Sequence, residues 1–166
     1  AETGQVLLLE NDSLRISAST NPGDIGTVVP VKDSVSGMAV IDSIPVNVQD
    51  ITIEEPYKTL YKRFLGPDMH SELVVPLRIG NKIYGVLNAE SPRIGAFKQH
   101  HLDILSTLAG QAAIAFRTVE ELELRKRASE ADKMLSAGQI VHKLAGRSGA
   151  IRGWIEIIKD EQSELL

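Results

Sequence analysis

Apolar residues follow two different periods along the chain, short runs and alternations up to residue 91 and steps of three and four beyond residue 98. The segments QVLLLE (5–10) and LRISAS (14–19) flank Asn11-Asp12-Ser13, residue types that favour turns through their own side-chain hydrogen bonds, and predict a β-hairpin. Thr20 to Gly26 contains Asn-Pro-Gly and reads as loop. Ser34 is placed to cap a short helix, VSGMAVID, before an extended IPVNV at 44–48. In EEPYKTLYKRFLG (54–66), Tyr57, Leu60, Tyr61 and Phe64 or Leu65 recur at helical spacing, and Gly66 suits a left-handed C-cap.

The strongest local pattern is ELVVPLRIGNKIYGVLNAES at 72–91, two apolar runs around Gly80-Asn81, whose members both tolerate positive φ. It predicts a hairpin. In its second arm Ile83, Gly85, Leu87 and Ala89 alternate with Tyr84, Val86, Asn88 and Glu90, so neither face is cleanly polar; both are expected to be covered, with the hairpin central in a sheet. From Lys98 to about Ala145 there is no proline, and Leu105, Leu108, Ala112, Ala115, Val119 and Leu122 form a helical stripe. Leu124, Ala128, Ala131 and Leu135 continue it in a shifted phase, as a stutter in a coiled coil does, through the densely charged segment 121–133. Gly146 to Gly149 predict an interruption, after which AIRGWIEIIKDE (150–161) resumes with Ile151, Trp154, Ile155 and Ile158 on one face.

Composition narrows the chemistry. The 166 residues, 43% of them hydrophobic and 24% charged, suffice for one core with a helical extension. A net charge of −4 supplies no basic face, so a nucleic-acid partner is not expected. The absence of cysteine removes disulfides, thiol nucleophiles and thiolate attachment of metal or chromophore. No apolar run nears the roughly 20 residues of a membrane helix, and Ala-Glu-Thr-Gly has no signal-peptide character; the expectation is a cytoplasmic location without membrane contact.

The run VVPLRIGNKIYGVLNAES followed by AFKQHHLDILSTLAGQAAIAF resembles the second half of a GAF domain: a proline-containing strand, a tight turn, a strand with Gly-Val-Leu, and a closing helix of the form "F…D…L…A.Q.A.A". SVSGMAVIDSIPVNVQDI resembles the GAF helix with an internal glycine and the strand after it. The resemblance implies an α+β fold, a central antiparallel sheet flanked by helices, with a small-molecule pocket on one side of the sheet. It also implies a further helix before the first hairpin; Ala1 lies almost at the first strand, so that helix is expected outside these residues. GQIVHKLAGRSGAIRGWIEII (138–158) is similar to the phosphoacceptor box of sensor histidine kinases, with His142 as phosphoacceptor and Ile151, Gly153 and Glu156 matching the next helix. Lys143 stands where that pattern has an acidic residue, and Gly146-Arg147 where it has Asn-Pro or Thr-Pro; a charged lysine cannot take the imidazole proton as the ring attacks ATP.

The organisation expected is thus a GAF sensor over residues 1–116, a coiled-coil signalling helix over 117–135 and a partial, dimerising helical hairpin over 136–166. No ATP-binding domain is expected within the 166 residues. The resemblance implies ATP use by a separate kinase domain, a response regulator as partner and a homodimer through the long helix. The chain alone is expected to have no activity and to carry no cofactor beyond an unidentified ligand. The rival reading is a non-catalytic GAF regulatory or dimerisation module with a degenerate histidine box.

Several residues admit two readings. His142 falls in the shifted stripe, where a polar residue also serves to fix the register of a helix interface. Tyr57, Tyr61 and Phe64 fit the wall of a GAF pocket, and plain core packing explains the same spacing. His70, in a Pro-Asp-Met-His loop, is either a ligand contact or a surface residue. His100 and His101 point about 100° apart on a helix and cannot chelate from one face, so no metal site is expected. The resemblance does not extend to cyclic-nucleotide-binding GAF domains, since Asn81-Lys82 is a hairpin turn. Bilin attachment and cysteine-based sulfoxide reduction, known in other GAF domains, are excluded by composition.

Overall fold

The computed structural model describes the backbone of residues 3–61 and 68–163, and side chains through residue 136 and at Gln139. Residues 1–118 form one compact unit and 119–166 a second. In the first, six antiparallel strands lie in the order β3-β2-β1-β6-β5-β4. They are β1 (Thr3–Glu10), β2 (Ser13–Ser19), β3 (Val28–Pro30), β4 (Val46–Val48), β5 (Ser71–Ile79) and β6 (Lys82–Ser91). The two predicted hairpins are present, and β1 and β6 occupy the centre. Asn11 and Gly80, where the strands reverse, take positive φ values of 55° and 56°. A 3-10 turn at Pro22–Asp24 lies in the stretch expected as loop, and strand β3 in the residues after it, for which the sequence pattern predicts no element.

The sheet is covered on both faces. Helix α1 (Val35–Asp42) is capped as expected, Ser34 Oγ accepting from the Gly37 N–H at 3.0 Å. It lies over one face, where Leu7, Leu14, Ile16, Val35, Ala39, Val48, Val74 and Val86 make one core cluster. Gly37 permits this seating, because a Cβ there would collide with the Val31 backbone. The opposite face carries Leu73, Val75 and Leu77 against Phe97, Ala109 and Ala113, the last two from α3 (Gln99–Ser163).

One irregularity decides which side chains meet. At the turn Ile79 pairs with Lys82 and Arg78 with Ile83, but Leu77 pairs with Gly85, so Tyr84 is an extra residue on β6. The simple alternation placed Tyr84 with Val86; the bulge instead sends it to the α3 face, its ring stacked 6.4 Å from Phe116. Beyond the bulge every pairing shifts by one, which sets Glu72 opposite Glu90 rather than Ala89. At Gly85 itself a Cβ would strike the Leu7 carbonyl oxygen of β1.

Three further expectations are corrected. Helix α2 covers only Tyr57–Leu60, because Tyr61 turns to an extended conformation with φ −63° and ψ 127°; Phe64, Leu65 and Gly66 lie outside the described residues. The expected interruption at 146–149 is not seen in the backbone, since α3 is continuous through those positions. Glycine and serine each cost a helix on the order of 1 kcal/mol or less, and without proline no N–H is lost. The expected stripe on α3 also divides: Leu105 and Ala112 are half-buried against the sheet, whereas Leu108, Val119 and Leu122 are exposed. The side chains described in the second unit are exposed apart from the half-buried Glu120, and Arg127 and Glu123 approach to 3.9 Å one turn apart.

Candidate functional site

A row of polar side chains is buried on the α1 face of the sheet. Gln5 of β1 pairs with Asn88 of β6, and Glu72 of β5 pairs with Glu90 of β6, so all four point the same way beneath α1. Glu72, Asn88 and Glu90 are 3%, 4% and 5% exposed. With Leu7, Val29, Ser34, Val35, Ser36 and Tyr61 they line a cavity of about 10 Å³, room for one water-sized group. Like charges directly across a ladder repel, and burial deprives both of solvent, so local stability does not explain this pair.

The hydrogen bonds run in a chain. Gln5 Nε2 donates to Asp24 at 3.2 Å, and Asn88 Nδ2 donates to Gln5 Oε1 at 3.3 Å and to Glu90 Oε1 at 3.2 Å. Ser36 Oγ of α1 donates to Glu72 Oε1 at 3.4 Å. Asp24 is well supplied, with Asn21 Nδ2 at 3.0 Å and Ser19 Oγ at 3.3 Å in addition to Gln5. Glu72 Oε2 and Asn88 Oδ1, by contrast, are buried acceptors without a donor among the described residues. Burial, followed by the charge of Glu90, pushes the Glu72 carboxyl well above the usual carboxylate range; Ser36 and Asn88 oppose this only in part. Glu90 is pushed up to about 7, again chiefly by burial, with Asp24 adding to the rise and hydrogen bonds from Asn88 and Tyr61 opposing it.

Residues 1–117 match the GAF domain family. The chain belongs to that family. GAF domains are signalling and regulatory modules, and the α+β architecture described above is the GAF fold. No curated protein matches the sequence. Among solved structures, the GAF domain of a two-component sensor histidine kinase from Bacillus halodurans is 26% identical, with a TM-score of 0.60, covering 73% of this chain and 84% of its own. The type II free methionine-R-sulfoxide reductase from Thermoplasma acidophilum is 23% identical, with a TM-score of 0.60, covering 68% and 76%. The GAF domain of a phosphoenolpyruvate-protein phosphotransferase from Coxiella burnetii is 17% identical, with a TM-score of 0.64, covering 74% and 76%. The last two likenesses are of fold alone.

Of the residues singled out in the sequence, Tyr61 lines this cavity and Tyr57 packs against the core cluster on the α1 face. Phe64 and the side chain of His142 lie outside the description. His70 is half-buried, its Nδ1 has no partner among the described residues, and it is not among the residues lining the pocket. His101 Nδ1 accepts from the Lys98 N–H at 3.0 Å at the start of α3, a capping role. No group of three His, Asp or Glu side chains among the described residues is arranged to hold a metal ion.

The polar row itself was not foreseen; the sequence showed no unusual charge constellation. Its members are spread from residue 5 to residue 90, and each looks like the solvent-facing half of a strand alternation. The available signal was Glu72 and Glu90 in two arms of one hairpin whose other positions are almost all apolar. Using it required knowing about the extra residue at Tyr84.

Proposed function

We propose that the chain is the sensory and dimerising part of a two-component sensor histidine kinase, in which the state of the GAF pocket is passed along α3 to His142. The observation that carries this reading is the continuity of α3, which supplies Ala109 and Ala113 to the sensor core and runs as one helix past position 142. The exposed apolar side chains Leu108, Val119, Leu122, Leu124 and Leu135 favour pairing of two such helices, and the likeness to a GAF domain of a sensor histidine kinase agrees with the context. Signalling then uses the change of stripe phase near 122–128 as an element with two packings. The test is labelling of the full-length protein by ATP. Incorporation lost in His142→Ala supports the proposal; an unlabelled wild type overturns it.

A second reading is favoured by specific observations. Lys143, Gly146-Arg147 and the unbroken helix through 146–149 depart from the phosphoacceptor pattern, as a non-catalytic regulatory or dimerisation module would. The unlabelled wild type is the outcome this reading expects. A reductase reading lacks its nucleophile, since the sequence contains no cysteine.

A further inference from the structure

The pocket offers acceptors and few donors. Resting on the reading of this cavity as the sensor's input site, we propose that it takes the primary ammonium head of a small amine, which enters in exchange for a proton held by the Glu72–Glu90 pair. Two orphaned oxygens, Glu72 Oε2 and Asn88 Oδ1, are buried and belong to residues that line the cavity. Asn88 Oδ1 can only accept from whatever enters, and Glu72 Oε2 accepts once its carboxyl has lost its proton. Most of the donors already present are engaged: both Asn88 amide hydrogens go to Gln5 and Glu90, one Gln5 amide hydrogen to Asp24 and the Ser36 hydroxyl to Glu72.

Among the described residues no lysine or arginine lines the cavity, so none of them supplies the carboxyls with a counter-ion there. A group that both donates hydrogen bonds and carries positive charge meets these needs. A primary ammonium has three N–H donors in a tetrahedral head of about the size the cavity admits, whereas a metal ion finds no set of three suitable side chains among the described residues. Leu7, Val29 and Val35 give the cavity apolar lining that fits the carbon attached to the nitrogen.

Exchange with a proton follows from the same geometry. Among the described residues the groups facing the pair are Asp24 from the 3-10 turn, Ser36 from α1, Tyr61 after α2 and the amides of Gln5 and Asn88, none of them cationic. In the empty pocket the charge is relieved by a proton on one carboxyl. On binding, the carboxyl O–H breaks, the proton leaves to solvent and the carboxylate so formed is paired with the ammonium. No electrons move and no covalent bond forms.

Methylammonium chloride is the probe, followed by carbon-13 NMR of the Glu72 and Glu90 carboxyls in the intact chain at constant ionic strength. Saturable shifts confined to the pocket, with the pair's titration midpoint falling by a pH unit or more, are expected. Tetramethylammonium, which has no N–H, is expected to leave the midpoint in place. Glu72→Gln should abolish the response; if that variant does not fold, the wild-type midpoint alone decides. An unmoved midpoint at 100 mM overturns the proposal, as does an equal effect of potassium or tetramethylammonium. Sedimentation of the same sample separates this from the broader reading: a dimer indifferent to methylammonium defeats only the ligand, and a responsive monomer defeats only the helix-pairing mechanism.

Discussion

Glu72 and Glu90 are the residues whose placement opposes folding most directly. Their carboxyls hold protons more tightly when folded than the ordinary value of 4.5 allows, Glu90 up to about 7. The stability they contribute is therefore fully present below about pH 4.5 and lost as pH rises through about 7. Melting of the ligand-free domain should fall across that window. Glu90→Gln should flatten the profile and leave the domain on the order of 2 kcal/mol more stable than wild type at pH 8; a profile as steep as the wild type would contradict the assignment. Gly37→Ala should act in the other direction, costing about 1–3 kcal/mol because the added methyl meets the Val31 backbone rather than a side chain able to move. Denaturant midpoints would show it. Glycine in a helix was visible in the sequence, but the chain segment lying against it was not.

Elements with a strong repeating pattern were legible. The hairpins at 5–19 and 72–91 and the long helix follow from period and turn chemistry alone. What failed to show was local geometry that breaks a period. Tyr84 is indistinguishable in sequence from any aromatic strand residue, and only its neighbour Gly85, pressed against the Leu7 carbonyl, marks the extra residue. This leads to a comparison of two deletions. Removing Tyr84 should restore a regular ladder and keep every pairing from Gly85 onward, at the cost of the stacking on Phe116. Removing Leu87 should turn Asn88 and Glu90 to the wrong face and prevent folding. Circular dichroism melts distinguish them. Gly146 and Gly149 mislead in the opposite sense, because strong helix formers on either side absorb their small penalties.

For the whole molecule, the expectation is a dimer held by the exposed side chains of α3. Val119→Glu with Leu122→Glu should give a monomer by sedimentation while leaving the sheet and both core clusters intact; a dimer that survives both changes would locate the contact elsewhere. On the proposed kinase reading, removing four residues within 121–128 should change the output of the full-length protein without altering the pocket, and unchanged output would sink transmission by helix packing. The buried carboxyl pair bears on what kind of message can be sent. If one proton departs as one ammonium arrives, the molecule carries the same total charge before and after. The event is then invisible at a distance as an electric field. Whatever the helix receives from the pocket must be shape.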